Sequence, residues 1–277
     1  MLSLQEFGIS VICPTYNSSE YIQETINSIL NQIHLPEEVI FSDDGSTDST
    51  VELIESNRSR FKSKSIQFVV LSGKHNGPGA ARNNGLAKAT HSWIAFLDAD
   101  DLWKKEKLLI VRKEIEKNHY NNCFLHWEEY VRINNDRVEL KHGLNIYNPK
   151  SGLFNQLYKS NFLSTSAIVC KKDLINISGG FDASLPNAQD YDLWLKMSSE
   201  IQLAIIPQIL GEYIEKSDCI TSRPYYKRIW SELRIAFRYR KNVKLLLFLN
   251  KVIRIILSKQ WFYTFLNIFT NVKKHSN

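Results

Sequence analysis

Two short acidic runs each follow an apolar segment that predicts a buried β-strand. Asp43-Asp44-Gly45-Ser46 follows Val39–Phe41, and Asp98-Ala99-Asp100-Asp101 follows Trp93–Leu97. In an open α/β sheet, ligands bind at the edge formed by the carboxyl ends of the strands. Carboxylates this close together resist joint ionisation unless a cation or hydrogen-bond donors lie between them. The pattern therefore predicts a site for a divalent cation and a nucleoside diphosphate.

The elements that must position these carboxylates alternate along the first third of the chain. Apolar segments predict strands over 9–13, 39–41, 66–71 and 93–97, and helical spacing predicts helices over 21–33, 50–60 and 78–89. Repeated βαβ units of this kind predict a parallel sheet with right-handed crossovers.

The second part of the chain has a different pattern. It predicts a helix over 104–117, two strands over 123–133 and 137–141 joined by a turn at 134–136, a strand over 162–170, a helix over 189–198 and a strand over 203–206. The expected fold class is therefore α/β. No internal repeat or low-complexity tract interrupts it.

Length and composition agree with one α/β domain plus an extension, or with two small domains. The chain has 277 residues, of which 43% are apolar, so it can bury a core. Its four cysteines are widely spaced without a paired motif, which favours a reducing compartment and argues against structural zinc. The segment 1–6 has neither a basic nor a long apolar stretch, so we expect no secretory signal.

Six motifs occur in a fixed order along the chain. They are Pro14-Thr15-Tyr16-Asn17, Asp43-Asp44-Gly45-Ser46, Gly79-Ala80-Ala81-Arg82-Asn83, Asp98-Ala99-Asp100-Asp101, Gly179-Gly180-Phe181-Asp182 and Gln189-Asp190-Tyr191-Asp192-Leu193-Trp194. This series, spread over residues 8–210, resembles the family 2 glycosyltransferases, which are inverting enzymes with the GT-A fold. The resemblance implies a GT-A type catalytic domain with a mixed central sheet, to which we assign residues 1–222. Residues 223–277 would then form a helical extension.

The resemblance also implies roles for individual residues in binding a nucleotide-sugar donor. The implied nucleotide-binding residues are Pro14, Thr15, Tyr16, Asp44, Arg82 and Asp98. Asp44 would accept a hydrogen bond from an imide N–H of the base, which favours uracil or thymine over a purine. Asp98 would bind the ribose. Arg82 would add a cation near the diphosphate, at a helix N-terminus whose dipole also favours an anion.

Two further roles concern the transfer itself. By the same resemblance, Asp100 is the ligand of Mg²⁺ or Mn²⁺, and Asp101 supports its loop. The cation would neutralise the charge that develops on the departing nucleoside diphosphate. Asp190 is implied as the general base, because an inverting transfer needs a group that takes the proton of the acceptor hydroxyl.

Each of these residues also has a purely structural interpretation. The acidic run at 98–101 could cap the helix over 104–117, and the run at 43–46 could form a turn before a capped helix. Arg82 could be a surface arginine paired with an acid. Asp190 could be a helix N-terminal aspartate. The seven histidines have no metal-binding spacing, and we expect neither His75 nor His126 at the site.

The C-terminal extension differs sharply in charge from the rest of the chain. From Arg223 onward there are thirteen Lys or Arg and one acidic residue, which leaves 22 basic and 28 acidic residues before it. Lys244, Lys251 and Arg254 share one helical stripe, opposite a broad apolar face. No apolar run reaches the roughly 20 residues that span a bilayer. We therefore predict an amphipathic helix on an anionic membrane surface, with a hairpin packed on the catalytic domain as the alternative and no nucleic-acid partner.

The combined expectation is transfer of a single sugar from a UDP- or dTDP-linked donor to a hydroxyl acceptor, with inversion. The acceptor would be a lipid-linked glycan in surface polysaccharide synthesis. The enzyme would be cytoplasmic and peripheral on the cytoplasmic face of the inner membrane. The processive members of the family carry a Gln-x-x-Arg-Trp motif and membrane-spanning helices, and neither occurs in this sequence.

Two other classes of function fit part of the pattern. A sugar nucleotidyltransferase would also place carboxylates and a metal on an α/β sheet. It would normally bring a Gly-rich, basic loop after the first strand, where this chain has 14–17, Pro-Thr-Tyr-Asn. A non-catalytic nucleotide- or membrane-binding protein would use the basic extension and turn over nothing.

Overall fold

The chain folds around one mixed β-sheet with helices on both faces. The computed structural model describes residues 8–117, 123–133, 136–140, 146–215 and 225–257. The strands are β1 (Ile9–Thr15), β2 (Glu38–Asp43), β3 (Gln67–Ser72), β4 (Trp93–Phe96), β5 (Leu102–Trp103), β6 (Cys123–Ile133), β7 (Asp136–Leu140), β8 (Ile168–Lys171) and β9 (Gln202–Glu215). The helices are α1 (Ile22–Leu30), α2 (Thr50–Ser56), α3 (Arg58–Ser63), α4 (Pro78–Lys88), α5 (Lys107–Lys117), α6 (Leu153–Lys159), α7 (Lys172–Ile177), α8 (Gln189–Met197), α9 (Tyr225–Arg238) and α10 (Leu245–Ile256).

The sheet combines a parallel half with a mixed half. Its strand order is β3-β2-β1-β4-β8-β6-β9-β5, with β7 paired to β6. Strands β3, β2, β1 and β4 are all parallel, whereas β8 is antiparallel to β4 and to β6. The carboxyl ends of β1, β2 and β3 lie level, because Thr15 pairs with Asp43 and Asp43 with Ser72. The acidic motifs therefore begin at one edge of the sheet.

The central strands are buried on both faces, which explains their continuous apolar runs. All seven residues of β1 are buried. Ile9, Val11 and Cys13 point into the core beneath α1 and α5, and Ile12 points into the core beneath α4 and α8. The alternation follows from the two-residue period of a strand, and it fixes the sheet as the middle layer of three.

Helix α4 lies unusually close to the sheet. A Cβ atom on Gly85 would come within 2.6 Å of Cγ2 of Ile12, so only glycine allows this approach. Pro78 occupies the first turn of the helix, where its missing N–H costs no hydrogen bond. The close contact fixes the position of Arg82, which lies one turn into α4, relative to the end of β1.

Two sequence expectations in the first half need correction. The helix expected over 50–60 is two helices that break at Asn57. The side-chain amide of Asn57 donates to the carbonyl oxygen of Leu53 at 2.8 Å and to Oε1 of Gln23 at 3.0 Å. Asparagine competes in this way for helical carbonyls. The expected helix over 104–117 begins only at Lys107, because Leu102 and Trp103 form a short strand beside β9.

The second half departs further from the expectation. The strand expected over 162–170 is confined to Ile168–Lys171, and Thr165–Ala167 form a 3-10 turn whose hydroxyls bind carboxylates of the site. The strand expected over 203–206 continues to Glu215. Its pairing with β6 is irregular around Pro207, as expected for a residue without an N–H. The predicted β6–β7 hairpin is confirmed.

The last two helices of the described residues, α9 and α10, pack on the core of the catalytic domain. Ile235 and Ala236 of α9 and Ile255 of α10 are buried there, and the Tyr158 hydroxyl donates to the carbonyl oxygen of Ala236 at 2.8 Å. Within the described ranges no helix is long and apolar enough to cross a membrane. The predicted boundary at 222 and the aromatic residues at 261–263 lie outside the described residues.

Candidate active site

The predicted site residues come from five segments that meet at the carboxyl edge of the sheet. Pro14 and Thr15 end β1, and Tyr16 follows them at the surface. The other predicted residues follow β2 and β4, or lie near the starts of α4 and α8: Asp44, Arg82, Asp98, Asp100 and Asp190. The parallel register of β1, β2 and β4 is what brings these distant segments together.

The two neighbouring carboxylates after β2 have different partners. Asp43 accepts hydrogen bonds from the backbone N–H groups of Gly45 and Ser46 and from the Thr15 hydroxyl, at 3.0, 2.8 and 3.0 Å. It therefore forms the turn that the structural interpretation anticipated. The hydroxyl of Thr15 is engaged inside the loop, with the residue only 2% exposed, so its side chain supports the turn.

Asp44 instead bridges to the loop that precedes α4. Its carboxylate accepts the backbone N–H groups of Asn76 at 2.9 Å and Gly77 at 2.8 Å, and it lies 3.0 Å from Nδ1 of His75. A carboxylate has about four acceptor positions, so the two backbone N–H groups leave room for a further donor. The expectation that His75 stays away from the site is wrong: its ring stacks on Tyr16, with 4.2 Å between ring centroids.

The first N–H group of α2 is bound by a different residue of the same loop, Asp48, which precedes the N-cap residue Ser49. Its Oδ1 accepts the backbone N–H of Thr50, the first residue of α2, at 3.0 Å, and its Oδ2 accepts the N–H of Ser19 at 3.0 Å. Burial acts to raise the pKa of Asp48, but the hydrogen bonds from Thr50 and Ser19 outweigh it and lower the pKa to about 2. Neither Asp43 nor Asp44 is needed as the cap.

Arg82 is a buried arginine and not the surface residue of the structural interpretation. It is 6% exposed, and its Nη2 lies 2.5 Å from Oδ1 of Asp98. Burial opposes its charge, but Asp98 and Asp190 outweigh this effect and raise its pKa. Among the described residues the Nε atom has no hydrogen-bond partner. A buried, charged donor without a partner is suited to an anionic ligand.

The acidic loop after β4 is held in place by Ser166, a residue that the sequence analysis missed. The Ser166 hydroxyl donates to Oδ2 of Asp101 at 2.5 Å and accepts the backbone N–H of Asp98 at 3.0 Å. Thr25 donates to the carbonyl oxygens of Ala99 and Asp101 at 2.8 and 3.1 Å. The loop does not cap a helix, because α5 begins six residues after Asp101.

The donor set on this loop fits a hard divalent cation that is completed by substrate. Asp98 and Asp100 are both partly exposed, whereas Asp101 is 2% exposed and bound to Ser166. In the part of the chain that the structure describes, no three His, Cys, Asp or Glu side chains form a ready metal cage. Magnesium is usually held by one or two carboxylates plus substrate phosphates. The residues present therefore suit a cation that arrives with its nucleotide.

Asp190 lies in the first turn of α8, near both Arg82 and the acidic loop. Its Oδ2 accepts the Thr165 hydroxyl at 3.1 Å. Burial raises the pKa of Asp190, while Arg82 and the hydrogen bonds act to lower it. The preceding Ala188 adopts a left-handed conformation, with φ of 58°. Such backbone strain at a non-glycine residue persists only where the surrounding structure enforces it.

The starts of α4 and α8 pack directly against each other. Gln189 is buried, and a Cβ atom on Gly79 would come within 3.1 Å of its Cγ. Gln189 occupies the position just before the aspartate, where the family that this sequence resembles usually has an acidic residue. Here it donates to the carbonyl oxygen of Leu185 at 2.9 Å and serves packing. This contact brings the start of α4, which carries Arg82, next to the start of α8, which carries Asp190.

The residues that sequence reasoning missed are short polar side chains in apolar surroundings. Thr165 and Ser166 lie in a segment that the hydrophobic pattern assigned to a strand, and Asn83 exchanges two hydrogen bonds with the backbone of Phe181. The run Ser164-Thr165-Ser166 inside an apolar segment was the available signal. Consecutive hydroxyl residues in a buried stretch need hydrogen-bond partners, and the nearby carboxylates provide them.

A mixed sheet with paired carboxylates and a buried arginine at its carboxyl edge fits a GT-A type transferase. Residues 10–177 match the sequence model of the family described as Glycosyl transferase family 2. The chain therefore belongs to the family 2 glycosyltransferases. This assignment favours a sugar transferase over the nucleotidyltransferase and binding-protein alternatives.

Curated relatives carry the same assignment. A Bacillus subtilis protein described as putative teichuronic acid biosynthesis glycosyltransferase TuaG is 28% identical over 80% of this chain and 85% of its own length. The Escherichia coli UDP-Glc:alpha-D-GlcNAc-diphosphoundecaprenol beta-1,3-glucosyltransferase WfgD is 28% identical over 83% and 87%. An uncharacterised glycosyltransferase of Rickettsia bellii is 31% identical over 79% of this chain, which spans 30% of that longer protein.

Solved structures support the fold. Staphylococcus aureus TarS 1-349 in complex with UDP-GlcNAc superposes with a TM-score of 0.70 over 93% of this chain and 79% of TarS 1-349, at 22% identity. The mannosyltransferase PcManGT from Pyrobaculum calidifontis, in complex with GDP-Man and Mn²⁺, gives a TM-score of 0.63 over 96% and 75%, at 17% identity. At these identities the likeness concerns the GT-A fold alone.

Proposed function

We propose that this protein transfers a single sugar from a UDP- or dTDP-linked donor to a hydroxyl of a lipid-linked glycan, with inversion at the anomeric carbon. One observation carries the proposal: the Asp44 loop, the Arg82–Asp98 pair and Asp190 lie along one sheet edge. These groups would supply the three functions that an inverting transfer needs, namely recognition of the nucleobase, an anion site for the diphosphate and an acceptor for the proton of the acceptor hydroxyl.

Recognition of the nucleotide is assigned to the residues after β1 and β2. Asp44 is 5% exposed, and its carboxylate can accept a hydrogen bond from an imide N–H of uracil or thymine. Tyr16 is 41% exposed and offers a flat surface for the base, while Pro14 and Thr15 shape the backbone beneath it. Two relatives support a uridine nucleotide: the name of WfgD includes UDP-Glc, and the TarS structure contains UDP-GlcNAc.

The diphosphate is assigned to the start of α4 and the acidic loop. Arg82 presents its unpartnered Nε and the helix its N-terminal N–H groups, which together favour an anion. Asp98, oriented by Arg82, would bind the ribose. Asp100 would hold Mg²⁺ or Mn²⁺, and the bound cation would stabilise negative charge on the leaving group. The PcManGT structure, which contains Mn²⁺, supports a divalent cation.

Asp190 is assigned as the general base. The acceptor oxygen forms a bond to the anomeric carbon as the bond from that carbon to the phosphate oxygen breaks, and the hydroxyl proton passes to the Asp190 carboxylate. Burial raises the pKa of Asp190, which makes it a stronger base than an exposed aspartate. The neighbouring Asp192 cannot take this role, because it is 0% exposed and engaged by Arg238 and Lys196.

The C-terminal helices are assigned to the membrane surface at which a lipid-linked acceptor would lie. Helix α10 uses one face to pack on the catalytic domain and turns a second apolar face to solvent. The exposed residues of this face are Leu245, Leu246, Leu249, Ile253, Ile256 and Leu257, and Trp230 of α9 is 73% exposed. Six solvent-facing aliphatic residues on one helix exceed what isolated exposed side chains explain.

Charge supports an anionic lipid surface as the proposed partner of this face. The turn between α9 and α10 exposes Arg240, Lys241 and Lys244 beside the apolar residues. Basic residues at the edge of an apolar helix face are typical of helices that lie in an anionic interface. One sequence expectation changes: Lys251 is not on the solvent side but turns inward over the Tyr191 ring, 5.0 Å from its centroid. We therefore propose that the enzyme is peripheral on the cytoplasmic face of the inner membrane.

The experiment is a donor panel with the full-length protein and Mn²⁺. UDP- and dTDP-sugars, with GDP-mannose as the contrast, are incubated with and without a diphosphate-linked lipid glycan. We expect release of UDP or dTDP that rises when the acceptor is added, and a product whose anomeric configuration is opposite to that of the donor. Retention of configuration, or exclusive use of the GDP sugar, would contradict the proposal.

A further inference from the structure

His75 contacts both of the groups that we assign to nucleobase recognition. Its Nδ1 lies 3.0 Å from Oδ2 of Asp44, and its ring stacks on Tyr16 with 4.2 Å between centroids and 26° between planes. A carboxylate can only accept a hydrogen bond, so Nδ1 carries the proton in this contact. The imidazole therefore offers an N–H to Asp44 and a flat face to Tyr16, as an imide-bearing base would.

We propose that His75 occupies the nucleobase position of the free enzyme and must be displaced when the nucleotide binds. This inference rests on the proposed function, since it takes Asp44 and Tyr16 as the base-binding groups. It makes His75 a residue that limits donor affinity, in contrast to a residue that contacts bound donor. Binding of the base exchanges one hydrogen bond at Asp44 and one stacking contact on Tyr16 for equivalent ones.

The surroundings of His75 allow this exchange without disturbing the loop. The His75 side chain is 58% exposed, so its ring can rotate into solvent. The backbone of the loop stays attached, because the N–H groups of Asn76 and Gly77 donate to Asp44 independently of the imidazole. Gly77 has a φ of 92°, a conformation that holds both N–H groups toward Asp44 and that glycine adopts without strain.

Occupation of the nucleobase position by His75 lowers the apparent affinity for the nucleotide. When a binding site is open in only a fraction of molecules, the apparent affinity of its ligand falls by that fraction. Removal of the His75 side chain therefore tightens nucleotide binding. A ligand that engages only the diphosphate site near Arg82 gains nothing, since that site does not involve the imidazole.

The test is calorimetric titration of the full-length protein, wild type and His75→Ala, with UDP and with inorganic diphosphate in the presence of Mg²⁺. We expect His75→Ala to bind UDP about 3- to 10-fold more tightly, as expected if the closed form dominates, with unchanged affinity for diphosphate. His34→Ala removes an exposed histidine remote from the site and should change neither affinity.

A second readout follows the ring itself. The imidazole signals of His75 in the NMR spectrum should shift on addition of UDP and not on addition of diphosphate. Weaker or equal UDP binding by His75→Ala would overturn the inference, because a residue that contacts the bound base gives weaker binding. If neither wild type nor His75→Ala binds UDP, the proposed donor class is contradicted as well. Weaker or equal binding by the variant alone contradicts only the role of His75, so the two failures are distinguishable.

Discussion

Arg238 in α9 places its Nη1 2.6 Å from Oδ1 of Asp192, a carboxylate of α8 that is fully buried. Its Nη2 reaches Oδ2 of Asp182 at 2.7 Å, and the Tyr239 hydroxyl donates to Asp192 at 3.0 Å. Asp192 lies two residues after Asp190. The C-terminal helices are thus attached to the helix that carries the proposed base.

The first prediction concerns this attachment. Arg238→Ala should lower the free energy of unfolding by about 2 to 4 kcal/mol, because loss of one partner leaves a buried charge less compensated. Chemical denaturation of the purified protein measures it. Arg234→Ala, one turn earlier on the exposed side of α9, is the matched control and should change stability by less than about 0.5 kcal/mol. Equal effects of the two variants would contradict a specific role for the Arg238 pair.

The second prediction concerns the proposed base. Asp190→Asn preserves the size of the side chain but cannot accept a proton, so transfer should fall by about 10² to 10⁴. UDP affinity, measured by calorimetry, should stay close to that of wild type, because Asp190 is assigned to the acceptor. Transfer within a few fold of wild type would assign the base to another residue.

The third prediction is the pH dependence of transfer. Burial raises the pKa of Asp190 above the ordinary aspartate value, although Arg82 and the Thr165 hydrogen bond oppose the shift. The carboxylate must be ionised to accept a proton, so the rate should fall on acidification at a pH above about 3.9, the value for an exposed aspartate. The pH profile of kcat/KM measures this acid limb. A rate that stays flat down to pH 4, in protein shown by circular dichroism to be folded, would contradict the assignment.

The fourth prediction separates two adjacent carboxylates of the acidic loop. Asp100→Asn should reduce transfer by about 10²-fold or more, because several kcal/mol of charge stabilisation depend on the cation, with little change in stability. Asp101→Asn should instead destabilise the protein by about 1.5 to 3 kcal/mol, since it weakens a buried hydrogen bond with Ser166. Mn²⁺ titration of donor hydrolysis measures the first effect and chemical denaturation measures the second, so the two variants can be distinguished. If Asp100→Asn required no more Mn²⁺ and lost no activity, it would not be the ligand.

The sequence predicted most of the parallel half and its acidic edge, because β1, β2 and β4 are buried on both faces and read as uninterrupted apolar runs. Prediction from the sequence failed where hydrogen bonds of individual side chains, and not the hydrophobic periodicity, determine the backbone conformation. The apolar pattern over 162–170 cannot show that the hydroxyls of Thr165 and Ser166 are bound by Asp190 and Asp101. These pairs join residues 25 and 65 positions apart, a separation that no local pattern records.

The helical extension illustrates a second limit. The sequence predicted an amphipathic α10 and left open whether it contacts a membrane or packs on the catalytic domain. The structure shows packing through Leu247 and Ile255 together with a second, exposed apolar face. A single hydrophobic pattern cannot separate these two faces, because α10 is apolar around most of its circumference.

The last prediction tests the exposed face of α10. Removal of the whole extension would expose the core and break the Arg238–Asp192 pair, so point substitutions are preferable. Leu246→Glu combined with Ile253→Glu should weaken binding to anionic vesicles, because apolar area is lost and negative charge is added. Co-sedimentation with phosphatidylglycerol vesicles at low and high salt measures the change.

The matched control is Ile177→Glu, which changes an apolar residue of a different helix, α7, that is 78% exposed. It adds one negative charge, against two in the α10 variant, at an exposed apolar position and should leave vesicle binding intact. Hydrolysis of a soluble donor should be equal in all three proteins, whereas transfer to a lipid-linked acceptor in vesicles should fall only in the α10 variant. Vesicle binding that is undiminished by the α10 substitutions would refute the membrane assignment, and so would an equal loss in the control.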